Sequence, residues 1–232
     1  MKRETLDRML ADRAAKRPVV LAINLDSGAE VIIDLADTDR LAELEPAVAD
    51  AARAAVRSDK STTVSTDAGD VFLHVFNPPL RLIIVGAVHI AQPLARMAAL
   101  AGYEVTVVDP RRAFATVERF LGVTVLSDWP DDALTELAPD ARTAVVTLTH
   151  DPKIDDPALA TALKSEAFYT GALGSKKTHA ARLERLSHAG FTGETLARIH
   201  GPVGLAIGAK SPAEIAVSIL AQMTETLRAA GG

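Results

Sequence analysis

Leu82-Ile83-Ile84-Val85-Gly86-Ala87-Val88-His89-Ile90-Ala91 is the stretch that decides the fold, together with the later run Val105-Thr106-Val107-Val108-Asp109. The first is an apolar run that ends in glycine, and a helical pattern closed by Gly102 separates it from the second. Runs that are apolar on both faces are typical of parallel strands buried in an α/β sheet. The two stretches therefore predict a strand–helix–strand unit.

Gly86 and Asp109 suggest what such a unit binds. Glycine at the turn after the first strand leaves room for a ligand phosphate near the N–H groups that open the following helix. An acidic residue about 20 positions later, at the end of the second strand, is placed to hold a ribose hydroxyl. These features are typical of a Rossmann-type domain.

The glycine fingerprint of that fold is incomplete in this chain. G-x-G-x-x-G/A maps onto Gly86, Val88 and Ala91, so valine occupies the middle glycine position. That glycine lets a pyrophosphate approach the backbone, and a β-branched side chain obstructs the approach. The pattern favours a turn that binds a ligand over a purely structural unit. Val88 makes an ordinary dinucleotide a less favoured ligand.

Composition excludes several classes of protein. The chain has 232 residues, of which 48% are hydrophobic and 24% charged, as in soluble globular proteins. It has no cysteine, which excludes disulfides and thiolate metal sites, and its net charge of −5 argues against nucleic acid as a partner. No apolar run approaches the ~20 residues of a membrane span, and the N-terminus lacks a signal-peptide core. We expect a cytoplasmic protein.

Two domains are predicted. Residues 1–77 read as a helix, two β-hairpins and an alanine-rich helical segment that Pro46 breaks or kinks. Asn77-Pro78-Pro79 marks a boundary, because two prolines continue neither a helix nor a central strand. A small α+β N-terminal domain (1–77) should thus precede a Rossmann-like α/β domain (78–232), whose parallel sheet carries helices on both faces.

Candidate ligand-binding residues collect where the predicted strands end. Ligands of such sheets lie beyond the carboxyl ends of the strands. The candidates there are Gly86, His89, Asp109, Arg111, His150, Asp151, Gly171, Gly174, Ser175, Lys176, Lys177, His200 and Gly204. No catalytic residue and no metal ligand is assigned.

Each cluster has a functional and an ordinary interpretation. Arg111 suits a phosphate or another anion, or is a solvated turn residue. His150 suits an oxyanion or proton transfer, or simply caps a loop. The segment 171–177 combines two glycines, a serine N-cap and two lysines, which favours an anion cradle.

A glycine-rich loop, residues 201–208, precedes the last helix. We expect Gly204→Val to impair ligand binding and to leave the fold largely intact, because the loop lies outside the predicted sheet. Ser211-Pro212-Ala213-Glu214 is a helix start with a serine N-cap, proline at N1 and glutamate at N3.

Five segments of the chain resemble the XdhC/CoxI family, in order and with appropriate gaps, from about residue 78 to 228. The segments are LIIVGAVHIAQPLA, VTVVDPRRAFA, VVTLTHDPKID, FYTGALGSKKTHAARLERL and RIHGPVGLAIGAKSPAEIAVSILAQ. The resemblance implies an accessory protein for molybdenum hydroxylases such as xanthine or carbon monoxide dehydrogenase. Such proteins bind the molybdenum cofactor (molybdopterin, with or without a nucleotide), protect it during sulfuration and deliver it to the apoenzyme. They are often dimeric.

This chain departs from the family pattern at two places. The first glycine turn of the family usually reads GAGH, where this chain has Val88. Full-length members also have an N-terminal domain with a Pro-Arg-Gly stretch and a Gly-Gly-Cys-like turn, and the first 77 residues contain neither. Without cysteine these residues cannot carry a persulfide. Either a partner supplies that function, or phosphate and pterin contacts alone hold the cofactor.

The interpretation is therefore a binding and transfer protein rather than an enzyme. Its expected partners are an apo molybdenum hydroxylase, a cofactor-sulfurating cysteine desulfurase and a second copy of the chain. The alternative is an NAD(P)-dependent oxidoreductase that uses the same crevice. A third interpretation is a sheet protein that only scaffolds partners.

Overall fold

The computed structural model describes residues 2–229, which form two compact units. Of the described residues, the first unit contains 2–78 together with 228 and 229, and the second runs from Pro79 to Leu227. Within residues 2–229, no helix has both the length and the apolar character that crossing a bilayer requires.

The first unit is an antiparallel sheet with helices. Its strands are β1 (Val19–Asn24), β2 (Glu30–Ile33), β3 (Thr62–Thr66) and β4 (Gly69–Phe76), in the order β2-β1-β4-β3. Its helices are α1 (Arg3–Ala14), α2 (Thr38–Ala42) and α3 (Pro46–Ser58). Both predicted hairpins are confirmed. Pro46 divides the alanine-rich segment and stands at the first position of α3, where its missing N–H removes no helical hydrogen bond.

The second unit is a six-stranded parallel sheet. Its strands are β5 (Leu80–Val85), β6 (Tyr103–Val108), β7 (Thr124–Leu126), β8 (Thr143–Thr147), β9 (Tyr169–Ala172) and β10 (Ile199–His200). They lie in the order β10-β9-β8-β5-β6-β7. From β5 the sheet continues through β6 and β7 on one side, and through β8, β9 and β10 on the other, which is the order of doubly wound dinucleotide-binding sheets. The predicted Rossmann-like class is confirmed.

Helices cover both faces of this sheet, as predicted. They are α4 (Ala91–Leu100), α5 (Pro130–Leu137), α6 (Pro152–Leu163), α7 (Lys176–His188), α8 (Gly193–Leu196) and α9 (Pro212–Ala229). Leu82 and Ile84 share a core with α4 and α9, whereas Ile83 and Val85 share one with α5 and α6. Successive side chains of a strand point to opposite faces, so the continuous apolar run fills two cores.

Some boundaries differ from the prediction for local reasons. The sequence pattern predicts a helix over residues 156–164, but α6 starts at Pro152, because Asp151 caps it by accepting from the Lys153 N–H (2.9 Å). The sequence predicts a short helix or turn over residues 114–120, and the structure has a 3-10 turn there, Val117–Arg119. The sequence predicts the fifth strand over residues 167–170, but β9 is shifted by two residues to Tyr169–Ala172, which places Gly171 inside it.

The start of α9 agrees with the capping prediction. Glu214 accepts hydrogen bonds from the N–H groups of Lys210 and Ser211 (2.8 Å each) and donates its own N–H to Ser211 Oγ (3.3 Å). Four residues therefore suffice to end the glycine-rich loop and begin the helix.

Candidate functional site

Several candidate residues lie on the loops that follow strands of the parallel sheet. Gly86 follows β5, Asp109 follows β6, His150 follows β8 and Gly174 follows β9. The strand order changes direction between β5 and β8, and a sheet of this kind opens a crevice at that switch point. The loops after these strands border it.

Gly86 forms a turn that only glycine fits. Its φ is +109°, and a Cβ placed on it would lie 2.5 Å from Cγ2 of Thr149 and 3.3 Å from the Thr149 nitrogen. The loop after β8 therefore packs directly on this turn. Helix α4 begins only at Ala91, so a turn through Val88 separates the glycine from the helix N-terminus.

Asp109 is buried and fully engaged by protein donors. Oδ2 accepts from the Ala87 N–H and from Arg111 Nη2 (2.8 Å each), and Oδ1 accepts from the Arg111 N–H and Nε (2.9 Å each). Burial acts to raise the pKa of Asp109, but these hydrogen bonds outweigh it and hold the pKa below its usual value. The carboxylate ties the Gly86 turn to the end of β6. A ribose hydroxyl could bond to it only after one of these donors moved.

Arg111 is partly exposed beside this anchor. Its guanidinium carbon lies 4.7 Å from the centre of the Phe114 ring. The hydrogen bond to Asp109 raises the pKa of Arg111, and the charges of Asp151 and Asp155 act in the same direction. Among residues 2–229 no acceptor binds its Nη1, so this nitrogen remains available to an anion.

The loop after β8 is organised by Asp155, a residue that was not predicted from the sequence. Asp155 Oδ1 accepts from Thr149 Oγ1 (2.6 Å), and Oδ2 accepts from the His150 N–H (3.0 Å). His150 itself has a φ of +64° and is exposed. Asp151, predicted to bind cofactor, caps α6 with its carboxylate. The imidazole is thus presented at the surface of the loop, whereas Asp151 has a local structural role.

A buried arginine on α7 is the second residue that was not predicted. Arg182 is 1% exposed, and its Nη2 donates to the Leu173 carbonyl (2.9 Å) and lies 3.6 Å from Asp155 Oδ2. Burial lowers the pKa of Arg182 and raises that of Asp155. In the sequence Arg182 lies in a basic helix that resembles a solvated face, so no local signal marks it.

In the segment 171–177, the first residues pack within the protein and the last ones are exposed to solvent. A Cβ on Gly171 would lie 2.6 Å from Val203 Cγ2 and 2.8 Å from the Tyr169 ring, so this glycine serves packing within β9 and not a ligand turn. Ser175 caps α7, as predicted, by accepting from the Thr178 N–H (3.1 Å). Lys176 and Lys177 are exposed at the first turn of α7.

His200 lies at the end of β10, the edge strand that pairs with β9. Its ring stacks on Tyr169 with centroids 4.6 Å apart and an interplanar angle of 16°. Burial lowers the pKa of His200, and the charge of Glu225 only partly opposes this. The imidazole is thus held in a fixed orientation by an aromatic neighbour.

The glycine-rich loop is packed on α9 rather than free. The Gly204 N–H donates to Gln222 Oε1 (2.8 Å), which also accepts from the Tyr169 hydroxyl (2.6 Å). Gly204 has a φ of +93°, and a Cβ there would lie 2.3 Å from Ser218 Oγ. The expectation that a side chain at Gly204 leaves the fold largely intact is therefore wrong, because this glycine serves contact with α9.

His89 lies apart from the anchors described above. It is exposed and borders an open groove between α4 and the start of α9, lined by His89, Gln92, Pro93, Arg96, Met97, Leu100 and Pro212. This groove is not formed by the loops after β6, β8 or β9.

The donors that remain available suit an anionic, polar ligand. The segments that follow β6, β8 and β9 carry cationic side chains at Arg111, Lys176 and Lys177 and an exposed imidazole at His150, whereas His200 packs on Tyr169. The hydroxyls of Thr147 and Thr170 and two nitrogens of Arg182 are buried without a hydrogen-bond partner among residues 2–229. Among residues 2–229, no group of three or more histidine or acidic residues is placed to hold a metal ion.

Comparison with known proteins gives one matching family and several relatives. Residues 82–223 match the family described as the XdhC Rossmann domain. The chain is 33% identical to the "Molybdenum cofactor insertion chaperone PaoD" of Escherichia coli K12, over 64% of this chain and 40% of that protein. It is also 33% identical to a probable xanthine dehydrogenase subunit of Bacillus subtilis 168, over 68% of this chain and 46% of the other.

A third relative and one solved structure extend the comparison. The "Uncharacterized protein YqeB" of Escherichia coli K12 is 32% identical over 73% of this chain and 32% of its own length. A crystal structure of a xanthine dehydrogenase from Bacillus halodurans has a TM-score of 0.68 and 25% identity, covering 98% of this chain and 65% of that one. The chain thus spans 32–46% of the length of these curated relatives.

Proposed function

The chain belongs to the XdhC family, and on that premise we propose that it binds the molybdenum cofactor and delivers it to a molybdenum hydroxylase. One relative is named as a molybdenum cofactor insertion chaperone and another as part of a probable xanthine dehydrogenase, which supports this role. The observation that carries the proposal is the set of exposed or partly exposed basic side chains on the segments that follow β6, β8 and β9, namely Arg111, His150, Lys176 and Lys177. They are cationic or neutral N–H groups, as an anionic and polar cofactor requires.

The cofactor fits these donors by its chemistry. It combines a phosphate, a pterin with polar edges and a metal centre held by a dithiolene, and it supplies the redox chemistry of the target enzyme. Lys176, Lys177 and the amides that open α7 would hold the phosphate. Arg111 Nη1 would reach a second phosphate where a nucleotide is attached. The imidazoles of His150 and His200 would donate to pterin or oxo groups.

Gly86 and Asp109 have a different role in this proposal. They shape the floor of the crevice, since Asp109 fixes the Gly86 turn through the Ala87 N–H. With no cysteine among the 232 residues, the metal would receive no thiolate from this chain. We therefore include a cysteine desulfurase as the sulfur source, an apo hydroxylase as the acceptor, a homodimeric assembly and a cytoplasmic location in the proposal.

A binding and transfer experiment tests the proposal. The purified protein is titrated with molybdenum cofactor under anaerobic conditions, and the loaded protein is then mixed with a cofactor-free molybdenum hydroxylase. We expect saturable binding, and faster activation of the hydroxylase than with free cofactor. The double variant Lys176→Ala/Lys177→Ala should bind more weakly. Lys60→Ala/Lys164→Ala, which removes two exposed lysines elsewhere, is the matched control. Equal binding by both double variants would remove the phosphate assignment, and no binding by the wild type would refute the proposal.

A nicotinamide-dependent oxidoreductase is the second candidate, because the strand order is that of dinucleotide-binding sheets. Val88 argues against it: it stands at the middle glycine position and packs against the core. We expect no hydride-transfer turnover with common alcohols or hydroxy acids. Saturable oxidation of NADH or NADPH by a defined carbonyl substrate, abolished by Asp109→Ala, would instead establish the oxidoreductase.

A further inference from the structure

Arg182 is a buried cation whose hydrogen-bonding capacity is mostly unused. Only its Nη2 donates to protein, to the Leu173 carbonyl (2.9 Å), and Nε and Nη1 find no acceptor among residues 2–229. Its side chain is 2% exposed. Buried charged groups normally have their donors satisfied, because an unpaired one loses its hydration without replacement. The free donors of Arg182 therefore require a reason.

Asp155 compensates this charge only in part. The shortest distance between the two groups is 3.6 Å, from Arg182 Nη2 to Asp155 Oδ2, which is too long for a hydrogen bond. The carboxylate already accepts from Thr149 Oγ1, the Thr149 N–H and the His150 N–H. The other charged groups near Arg182 are Asp156 and Arg185, which pair with each other, and His179, whose pKa burial lowers. The two arginines and two carboxylates balance in charge, but no carboxylate hydrogen-bonds to Arg182, so its Nε and Nη1 stay without an acceptor beneath the loop between β9 and α7.

The hydrogen bond from Arg182 also orients the peptide above it. A trans peptide directs its C=O and N–H to opposite sides, and in residues 2–229 the only cis bond is Gly201–Pro202. Because Arg182 binds the Leu173 carbonyl, the Gly174 N–H points away from the guanidinium. Within the described chain, no acceptor receives the N–H of Gly174 or Ser175. Lys176 and Lys177 are the first two residues of α7, whose N–H groups lack intrahelical partners.

Because residue 174 is a glycine, it places no side chain next to the guanidinium of Arg182. A Cβ on Gly174 would lie 3.8 Å from Arg182 Nη1 and 3.1 Å from Thr178 Cβ. Any other residue would thus put a side chain between Nη1 and the loop. Its φ of +151° also favours glycine.

We propose that Arg182 is the buried cation of an oxyanion subsite formed by the N–H groups of residues 174–177, and that its ligand is a phosphate or diphosphate group. The inference deepens the proposed function, because the cofactor contains such a group. A buried charge acts through a low-dielectric interior and is screened little by salt, whereas the exposed charges of Lys176 and Lys177 are screened strongly. The two contributions are therefore separable by ionic strength.

The test uses inorganic diphosphate as the probe, titrated calorimetrically at low and at high salt. Arg182→Met should weaken binding on the order of tenfold at both salt concentrations, which corresponds to about 1.4 kcal/mol. The control is Arg185→Met, which removes the same charge from the same helix but only breaks the ion pair with Asp156. It should bind diphosphate like the wild type. Equal affinities for the two variants would overturn the proposal.

A second pair of variants separates binding from structural support. Asp155→Asn removes the charge that offsets Arg182 and should tighten diphosphate binding several-fold. Arg182→Met/Asp155→Asn leaves no unpaired buried charge, so it should fold even where Arg182→Met alone does not. It should still bind diphosphate weakly, and wild-type affinity of this double variant would show that Arg182 only supports the structure. If wild-type protein binds diphosphate through Arg182 but not the molybdenum cofactor, the subsite stands and the proposed function fails.

Discussion

Gly204→Ala tests whether tight packing of the glycine-rich loop on α9 holds the second unit together. The methyl group would lie 2.3 Å from Ser218 Oγ and 3.2 Å from the Ile219 nitrogen. The hydroxyl could rotate away only by breaking its hydrogen bond to the Ile215 carbonyl (2.8 Å), and the backbone nitrogen cannot move independently of α9. Overpacking of this kind costs about 1–3 kcal/mol.

The same loop supplies a control for the backbone contribution. Gly208 has a φ of +77°, and a Cβ there would have nothing within 4 Å. Gly208→Ala therefore measures the left-handed conformation alone, about 1–2 kcal/mol, less the ~0.4–1 kcal/mol gained by restricting the unfolded chain. We expect Gly204→Ala to be the more destabilising of the two by the packing cost of about 1–3 kcal/mol.

Urea unfolding provides the measurement. The single tryptophan of the chain is Trp129, which lies in the second unit, so its fluorescence reports on the correct part of the molecule. Far-UV circular dichroism serves as the second probe. With a slope of roughly 1–3 kcal/mol per molar urea, the midpoint of Gly204→Ala should lie on the order of 1 M below that of Gly208→Ala. Ser218→Ala removes the clashing oxygen and should recover part of the difference in the double variant. Equal midpoints for the two glycine variants would refute the packing argument.

Three further predictions concern the crevice and its supports. Lys176→Ala/Lys177→Ala should weaken binding of molybdenum cofactor about tenfold at low salt and less at high salt, because exposed charges are screened. Calorimetric titration measures this affinity, and a wild-type value at low salt would show that these lysines are ordinary solvated residues. Asp109→Asn should lower the free energy of unfolding at pH 7 by about 1–3 kcal/mol, since it replaces one acceptor oxygen by a donor and leaves an N–H group that Asp109 binds without a partner. The pKa of Asp109 is lowered in the folded state, so its stabilisation is present above the unfolded value of about 3.9 and disappears as pH falls through the folded pKa. Urea midpoints of variant and wild type should therefore converge in acid, and a constant difference would contradict the assignment. Ser211→Ala should cost about 0.5–2 kcal/mol through loss of the α9 cap, with Ser187→Ala inside α7 as the control, and equal thermal midpoints would argue against the cap.

Local patterns were sufficient for the elements and for the class of fold. The run from Leu82 to Val85 is apolar at every position because alternate residues enter two different cores, and that requirement is visible in a single strand. Caps are equally local, since Ser175 and Ser211 bind groups three residues away. A sequence signal also existed for the start of α6, because Asp151 and Pro152 are a typical cap and first helical residue.

Candidate-site residues were harder to assign, because their roles depend on distant partners. Asp109 stands where a ribose acceptor is expected, yet the Ala87 N–H, 22 residues earlier, occupies one of its oxygens. Gly204 reads as part of a ligand loop, but Ser218 and Gln222 on α9 decide its conformation. The residue types indicate that a glycine or a carboxylate is needed at these positions. Only the packing around each residue shows what role it has.

The amino-acid sequence by itself determined the strands, the helices, their caps and the edge of the sheet to which the polar loops belong, since these follow from periodicity and from contacts a few residues apart. Only the tertiary structure decided which of those polar groups remain free. Burial and hydrogen bonding are set by residues brought together from far along the chain. In the sequence, Arg182 looks like any other arginine of a basic helix. In the structure it is a buried cation, because α7 packs on α6 and beneath the loop at Leu173.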